Sequence, residues 1–159
     1  MRAYARKWGE DEELYGVTGL LHDLDYERYP DLETGHPRKA LELFRERGYP
    51  EELTEAVAGH ADFMGVPRTT RLAKTLYAVD ELSGFLAACA LVRPTGIQGM
   101  TPKSVKNKLR QPSFAAGVNR DEVRQGAEEL GVDFDEHVAF VIAAMEEHAD
   151  ELGLAPASA

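Results

Sequence analysis

Apolar side chains recur along this chain at three- and four-residue steps, a period that predicts helices from end to end. The clearest stretch runs from Asp135 to Leu152, where Val138, Val141, Ile142, Met145, Ala149 and Leu152 form one stripe with Phe134. Thr101-Pro102 reads as an N-cap followed by proline at the first helical position, opening a helix towards Arg110. Thr34-Gly35-His36-Pro37 is a second proline-led start, with Gly48 as its stop. Glu51 to Phe63 and Arg68 to Cys89 extend the series across the break Gly65-Val66-Pro67, and Asn119 caps a helix from Asp121 to Leu130. Asp11 to Asp23 carries Leu14, Val17 and Leu21 on one face. No alternating run of Val, Ile or Thr suggests a strand, and no Gly/Ser linker or repeat divides the chain. The expectation is an all-α protein: a single helical bundle over residues 1–154, with a frayed tail at 155–159.

Length and charge narrow the picture. A chain of 159 residues has room for one domain with its own core. Its 18 Lys and Arg against 28 Asp and Glu leave a formal charge of -10, which argues against a partner such as duplex nucleic acid or an anionic membrane. The longest unbroken apolar run, Phe85 to Val92, is far below the ~18 residues of a spanning helix. Met1 to Trp8 contains no apolar signal core, and the lone Cys89 excludes an internal disulfide, so a cytoplasmic location is expected.

The informative residues are ionisable groups on faces that should be buried. Gly16, Gly19 and Asp23 share the side of their helix opposite the Leu14–Val17–Leu21 stripe, and the glycines there invite close approach by another helix. That places His22 and Asp23 at the end of a covered helix, where a cation offsets the cost of burying a carboxylate. His60 falls in the middle of the apolar face made by Leu53, Ala56, Val57 and Met64. Asp80 follows Leu76 by one turn, and His36 occupies a constrained corner between Gly35 and Pro37. Taken singly, an inward histidine is ordinarily a core residue bonded to a carbonyl, and Asp80 could pair with Lys74 or Arg71. Taken together, His22, Asp23, His36, His60 and Asp80 form a set of nitrogen and oxygen metal ligands. His137 and His148 fail the same test: eleven residues apart, roughly 16 Å along a helix, they cannot share one ion and are read as structural.

Charge distribution suggests the substrate. No acid occurs between Glu81 and Asp121, while Lys103, Lys106 and Arg110 follow i, i+3, i+7 spacing on one helix face. An acid-free basic segment in so acidic a chain reads either as a solvated face balanced by acids elsewhere or as a clamp for a small phosphorylated molecule.

The ordered series Gly-Leu-Leu-His22-Asp23-Leu-Asp-Tyr-Glu, Gly35-His36-Pro37, Gly59-His60-Ala61 and Val79-Asp80-Glu81-Leu82-Ser83-Gly84 resembles the HD-domain metal-dependent phosphohydrolase superfamily. Residues 104–119 resemble the C-terminal part of its small bacterial members. The resemblance implies an all-helical fold, one or two divalent metal ions, and hydrolysis of a phosphate ester or nucleotide. It also implies His22, Asp23 and Asp80 as core metal ligands, Asp23 bridging two ions, with His36 and His60 serving the second. His and Asp donors suit Mn, Fe, Zn, Co or Ni, and Mg less well. Glu27 and Asp25 are the nearby carboxylates considered for proton transfer. The chain departs from the family pattern in one respect: no histidine precedes His22, where the family places its first ligand on an earlier helix. Either the chain starts inside the domain or this member has lost a ligand; a lost ligand implies a module that binds metal or nucleotide without turnover, and a bundle short of a helix implies self-association as a homo-oligomer.

Overall fold

A computed structural model describes residues 1–156; residues 157–159 of the expected tail lie outside the described residues. The described residues form eight α-helices and one 3-10 turn, with no strand, so the protein is all-α as its periodicity predicts. No helix among them is long and apolar enough to cross a membrane. The chain divides into two compact units, the first ending at Tyr77 and the second beginning at Ala78.

The first unit contains α1 (Arg2–Trp8), α2 (Glu12–Leu21), α3 (Arg38–Glu46), α4 (Glu51–His60), a 3-10 turn (Asp62–Met64) and the opening turns of α5 (Arg71–Leu91). Asp11 caps α2 through its carboxylate, which accepts from the backbone N–H groups of Glu13 and Leu14. The glycine face of α2 is closely covered: a Cβ on Gly16 would meet the Arg2 guanidinium at 2.5 Å, and one on Gly19 would meet Met1 Cγ at 2.6 Å. The core of this unit is built from Ala5, Tyr15, Leu41, Phe44, Leu53, Val57, Leu72 and Leu76, with Leu14, Val17 and Leu21 packed against it. Burial of large apolar side chains, each stabilising by roughly 1.5–3 kcal/mol, is what holds such short helices in place.

Helix α2 ends at Leu21, two residues short of the span its pattern suggests, and residues 22–28 form a succession of turns. Asp23 O accepts the N–H of Tyr26 at 3.0 Å, and Asp25 O accepts that of Tyr29 at 2.7 Å. The loop then doubles back, with His36 N–H donating to Tyr29 O at 2.8 Å and Gly35 N–H to Asp31 O at 2.7 Å. Residues 51–63, expected as one helix, are broken at Ala61, whose φ of -99° and ψ of 105° are extended.

The second unit holds the remainder of α5 with α6 (Pro102–Leu109), α7 (Arg120–Leu130) and α8 (Phe134–Glu146). Its termini match the sequence signals at Thr101, which forms a capping box with Ser104, at Asn119, and at Gly131 with a φ of 74°. Phe85, Leu86, Val105, Val123 and Val138 are fully buried in this unit. Helix α7 lies so close to α5 that a Cβ on Gly126 would come within 2.6 Å of Ala78 Cα. His137 is buried and its Nε2 lies 2.9 Å from Ala78 O, a structural contact. Helix α8 stops at Glu146 rather than near Leu152; residues 147–153 form turns, and Leu154 O receives the N–H of Ile97.

Candidate metal centre

Three imidazoles of the first unit converge on Asp23. His22 Nε2 lies 3.3 Å from Asp23 Oδ2, while His36 Nε2 and His60 Nε2 lie 3.5 and 3.6 Å from Asp23 Oδ1. The rings pack edge to face, His22 on His60 and His36 on His60, with centroids 5.2 Å apart in both pairs. One ligand atom each from Asp23, His36 and His60 can be chosen so that all lie within 4.8 Å of one another. His36 and His60 are buried, whereas Asp23 is half exposed, so the cluster opens to solvent on the side of its carboxylate.

Each ring is oriented from behind. His22 Nδ1 lies 2.8 Å from Gly19 O, His60 Nδ1 lies 2.5 Å from Val57 O, and His36 Nδ1 lies 2.8 Å from Asp25 Oδ1. These oxygens can only accept, which assigns an N–H to every Nδ1. In the neutral rings each Nε2 therefore aims a lone pair at a carboxylate that also offers lone pairs. Such an arrangement needs positive charge between the atoms, either protons on the rings or a cation. With a second proton on the rings, hydrogen bonding by His22 first, and then by His60, holds the Asp23 carboxyl well below the usual carboxylate range. The donor set fits a divalent metal: bonds of ~2.1 Å around one ion leave neighbouring donors ~3–3.4 Å apart, close to the separations seen here.

Asp25 has both oxygens in use. Oδ1 faces His36 Nδ1, and Oδ2 accepts the backbone N–H of Ala40 at 2.8 Å, with the whole carboxylate buried. Its place is behind the His36 ring, where a carboxylate fixes the tautomer and orientation of an imidazole, and both of its oxygens are engaged there. Glu27 is exposed on the following turn.

Asp80 lies half buried on α5 in the second unit, where its carbonyl accepts from Ser83 Oγ at 2.9 Å. Lys103, Lys106 and Arg110 also belong to that unit. Lys103 and Arg110 are exposed, and Lys106 Nζ is paired with Asp135 Oδ2 at 2.7 Å, so the basic segment is partly balanced by an acid that α8 brings to it. Lys106 and Arg110 line a cavity of about 330 Å³ with Leu109, Arg124 and Phe134. Cys89 is buried in the same unit, which pushes its thiol up to about 11, away from the thiolate form at neutral pH.

Two contributors escaped the reading of the sequence. Tyr26 packs edge-on against His36, with centroids 5.2 Å apart. Arg68 binds Gly59 O and Asp62 Oδ1, each at 2.7 Å, beside the end of the helix that carries His60. The signal for Tyr26 was its position three residues after Asp23 in a segment with no helix terminator.

The first unit thus gathers three histidines about an aspartate, a donor set that could hold a metal ion, and comparison with known proteins places the unit in a family. The HD domain family matches residues 1–84, more than half of the chain, and the chain belongs to this family of metal-dependent phosphohydrolases. It is similar to ribonuclease Y of Lactobacillus gasseri, 29% identical over 107 residues, and to ribonuclease Y of Lactobacillus acidophilus, 30% identical over 107 residues. Both matches cover 67% of this chain but 17% of the relative. No solved structure matches the chain.

Proposed function

We propose that this chain is a metal-dependent phosphohydrolase acting on a small phosphate ester or nucleotide. The observation that supports it best is the convergence of the Nε2 atoms of His22, His36 and His60 on Asp23, each ring held by an oxygen at Nδ1. Asp23, His36 and His60 would hold one divalent ion, with Asp23 shared to a second ion by His22. Asp80 is proposed as a further ligand on the order of residues that resembles the family. Bound there, the ion supplies a water of lowered pKa and polarises a phosphoryl oxygen.

The chain's own residues supply orientation and charge. Asp25 keeps His36 in one tautomer, and Glu27 is the carboxylate proposed for proton transfer. Lys103, Lys106 and Arg110 are proposed to meet the substrate's phosphate. Mn, Fe, Zn, Co or Ni suits the donors, with Mg less favoured by imidazole. The name ribonuclease carried by the relatives makes a phosphodiester a substrate to include, although the matched region is a small part of those proteins.

The test is elemental analysis of the purified chain and of Asp23→Ala, followed by hydrolysis of a panel of phosphate mono- and diesters with added Mn²⁺. Stoichiometric metal that Asp23→Ala loses, together with turnover, is the expected result. Metal without turnover would favour the second reading, a module that binds without hydrolysing, which the absence of histidine from α1 supports. A chain that takes up no metal would overturn both.

A further inference from the structure

Several large apolar side chains of the first unit are exposed, and one of them touches the candidate metal centre. Tyr26 is 51% exposed, and its ring stands at 87° to that of His36 with the centroids 5.2 Å apart. Its hydroxyl has no hydrogen-bond partner among the described residues. An aromatic ring usually becomes exposed where nothing in the fold can cover it, yet Tyr26 sits on a well-tied segment. Its own N–H is bonded to Asp23 O, and the neighbouring Asp25 is buried and anchored to His36 and to Ala40. The backbone thus holds the ring beside the His36 imidazole, whose Nε2 lies 3.5 Å from Asp23 Oδ1.

We propose that Tyr26 is a specificity-determining residue: its exposed ring stacks a flat aromatic group carried by the substrate's phosphate ester, and so favours aryl or nucleoside phosphates over alkyl phosphates of equal charge. This inference rests on the metal-dependent reading above. The chemistry follows from the position. A phosphate drawn to a cation held by Asp23, His36 and His60 would bring its ester substituent near the groups that border His36, and the exposed one among them is the Tyr26 ring, which has little to gain from a polar chain. Stacking on an aromatic side chain is insensitive to which flat ring is offered, because every such ring has a face. The perpendicular contact with His36 restricts the Tyr26 ring on one side and so reduces the side-chain freedom lost on binding.

Phenyl phosphate and cyclohexyl phosphate separate the contributions, since they share charge and size and differ in aromaticity. Their affinities for the full chain loaded with Mn²⁺ are measured by calorimetry, with metal content determined on the same samples. Wild type is expected to prefer phenyl phosphate. Tyr26→Leu is expected to lower that preference about tenfold, the effect of removing one stacking partner, and Tyr26→Phe to restore it. Tyr29→Leu, a change at an exposed aromatic three residues further on, serves as the control for general loss of apolar surface. Loss of metal from Tyr26→Leu with the preference intact would mean that Tyr26 positions His36 and meets no substrate, overturning the proposal. An unchanged preference with metal retained would overturn it equally. A wild-type chain that takes up no Mn²⁺ overturns the metal reading and this inference together, whereas one that takes up Mn²⁺ and shows no preference overturns this inference alone.

Discussion

Asp25 Oδ1 lies 2.8 Å from His36 Nδ1, and the other oxygen of the same buried carboxylate is 2.8 Å from the backbone nitrogen of Ala40. One side chain thereby fixes the tautomer of a donor imidazole and ties it to the first turn of α3. Replacing Asp25 with Asn keeps the shape but leaves a single acceptor oxygen, so one of the two N–H groups must face an amide N–H. Leaving a buried donor unsatisfied costs about 1–3 kcal/mol, and removing a carboxylate behind a ligating histidine typically costs about 10–100-fold in metal affinity. Asp25→Asn is therefore expected to remain folded while binding Mn²⁺ at least tenfold more weakly in a chelator competition. Wild-type affinity in the variant would show that His36 needs no carboxylate behind it.

Gly35 stands next to that histidine for a steric reason. A Cβ at this position would lie 2.3 Å from Tyr29 O and 2.7 Å from Asp31 O, both backbone atoms held in the loop by hydrogen bonds. Gly35→Ala must open the loop, at a cost on the order of 2 kcal/mol, and carry His36 away from Asp23. The expected outcome is a lower urea midpoint together with loss of metal. A midpoint and metal content equal to wild type would show that the loop yields freely.

Helix identity was legible because it rests on local chemistry. Thr101, Asn119 and Gly131 act where their side chains or glycine conformations lead one to expect, and the inward histidines His36 and His60 are buried. The glycine face of α2 likewise meets Met1 and Arg2. Helix ends without a glycine or proline were harder to see: α2 stops before His22, whose ring turns back to Gly19 O, and α4 stops before an extended Ala61. The partnership of Asp25 with His36 depends on an eleven-residue loop closing on itself, which periodicity does not encode. Nor does a basic stripe announce its counter-charge; Asp135 reaches Lys106 across 29 positions.

Cys89 offers a pH-dependent test of the second unit. Burial pushes its thiol from 9.0 to about 11, against the opposing pull of Lys108 and Arg93. Between pH 7 and 8 the thiolate fraction is about a hundred times smaller than in an unhindered thiol, so native Cys89 should alkylate with iodoacetamide far more slowly than in urea. The sign for stability follows from the same shift. A raised folded pKa means that the contribution is complete below the unfolded value and is lost as pH rises towards about 11. Wild type should therefore lose more stability than Cys89→Ser across that alkaline window. Equal alkylation rates with and without urea would show that the thiol is accessible in the folded protein.

Arg68 lies behind His60 in a polar arrangement that apolar periodicity cannot reveal. Its nearly buried guanidinium donates to Gly59 O and to Asp62 Oδ1, both at 2.7 Å, and stands 3.5 Å over the ring of Tyr77. Tyr77 completes the circuit by donating its hydroxyl to the other Asp62 oxygen at 3.0 Å. The arrangement spans the extended break at Ala61 and so sets how the chain leaves His60. Asp62 is half exposed, which screens the ion pair, but the carbonyl bond and the stacking are sheltered. Arg68→Ala is expected to cost about 2 kcal/mol of unfolding free energy, and Arg68→Lys a good part of the same, because an ammonium on a shorter stem cannot stack as a plane on Tyr77. If the network only stabilises the fold, metal affinity at low urea will match wild type in both variants. If it also aims His60, both variants will bind Mn²⁺ more weakly under conditions where they are fully folded, and Tyr77→Phe, which removes one bond to Asp62, will show a smaller loss in the same direction.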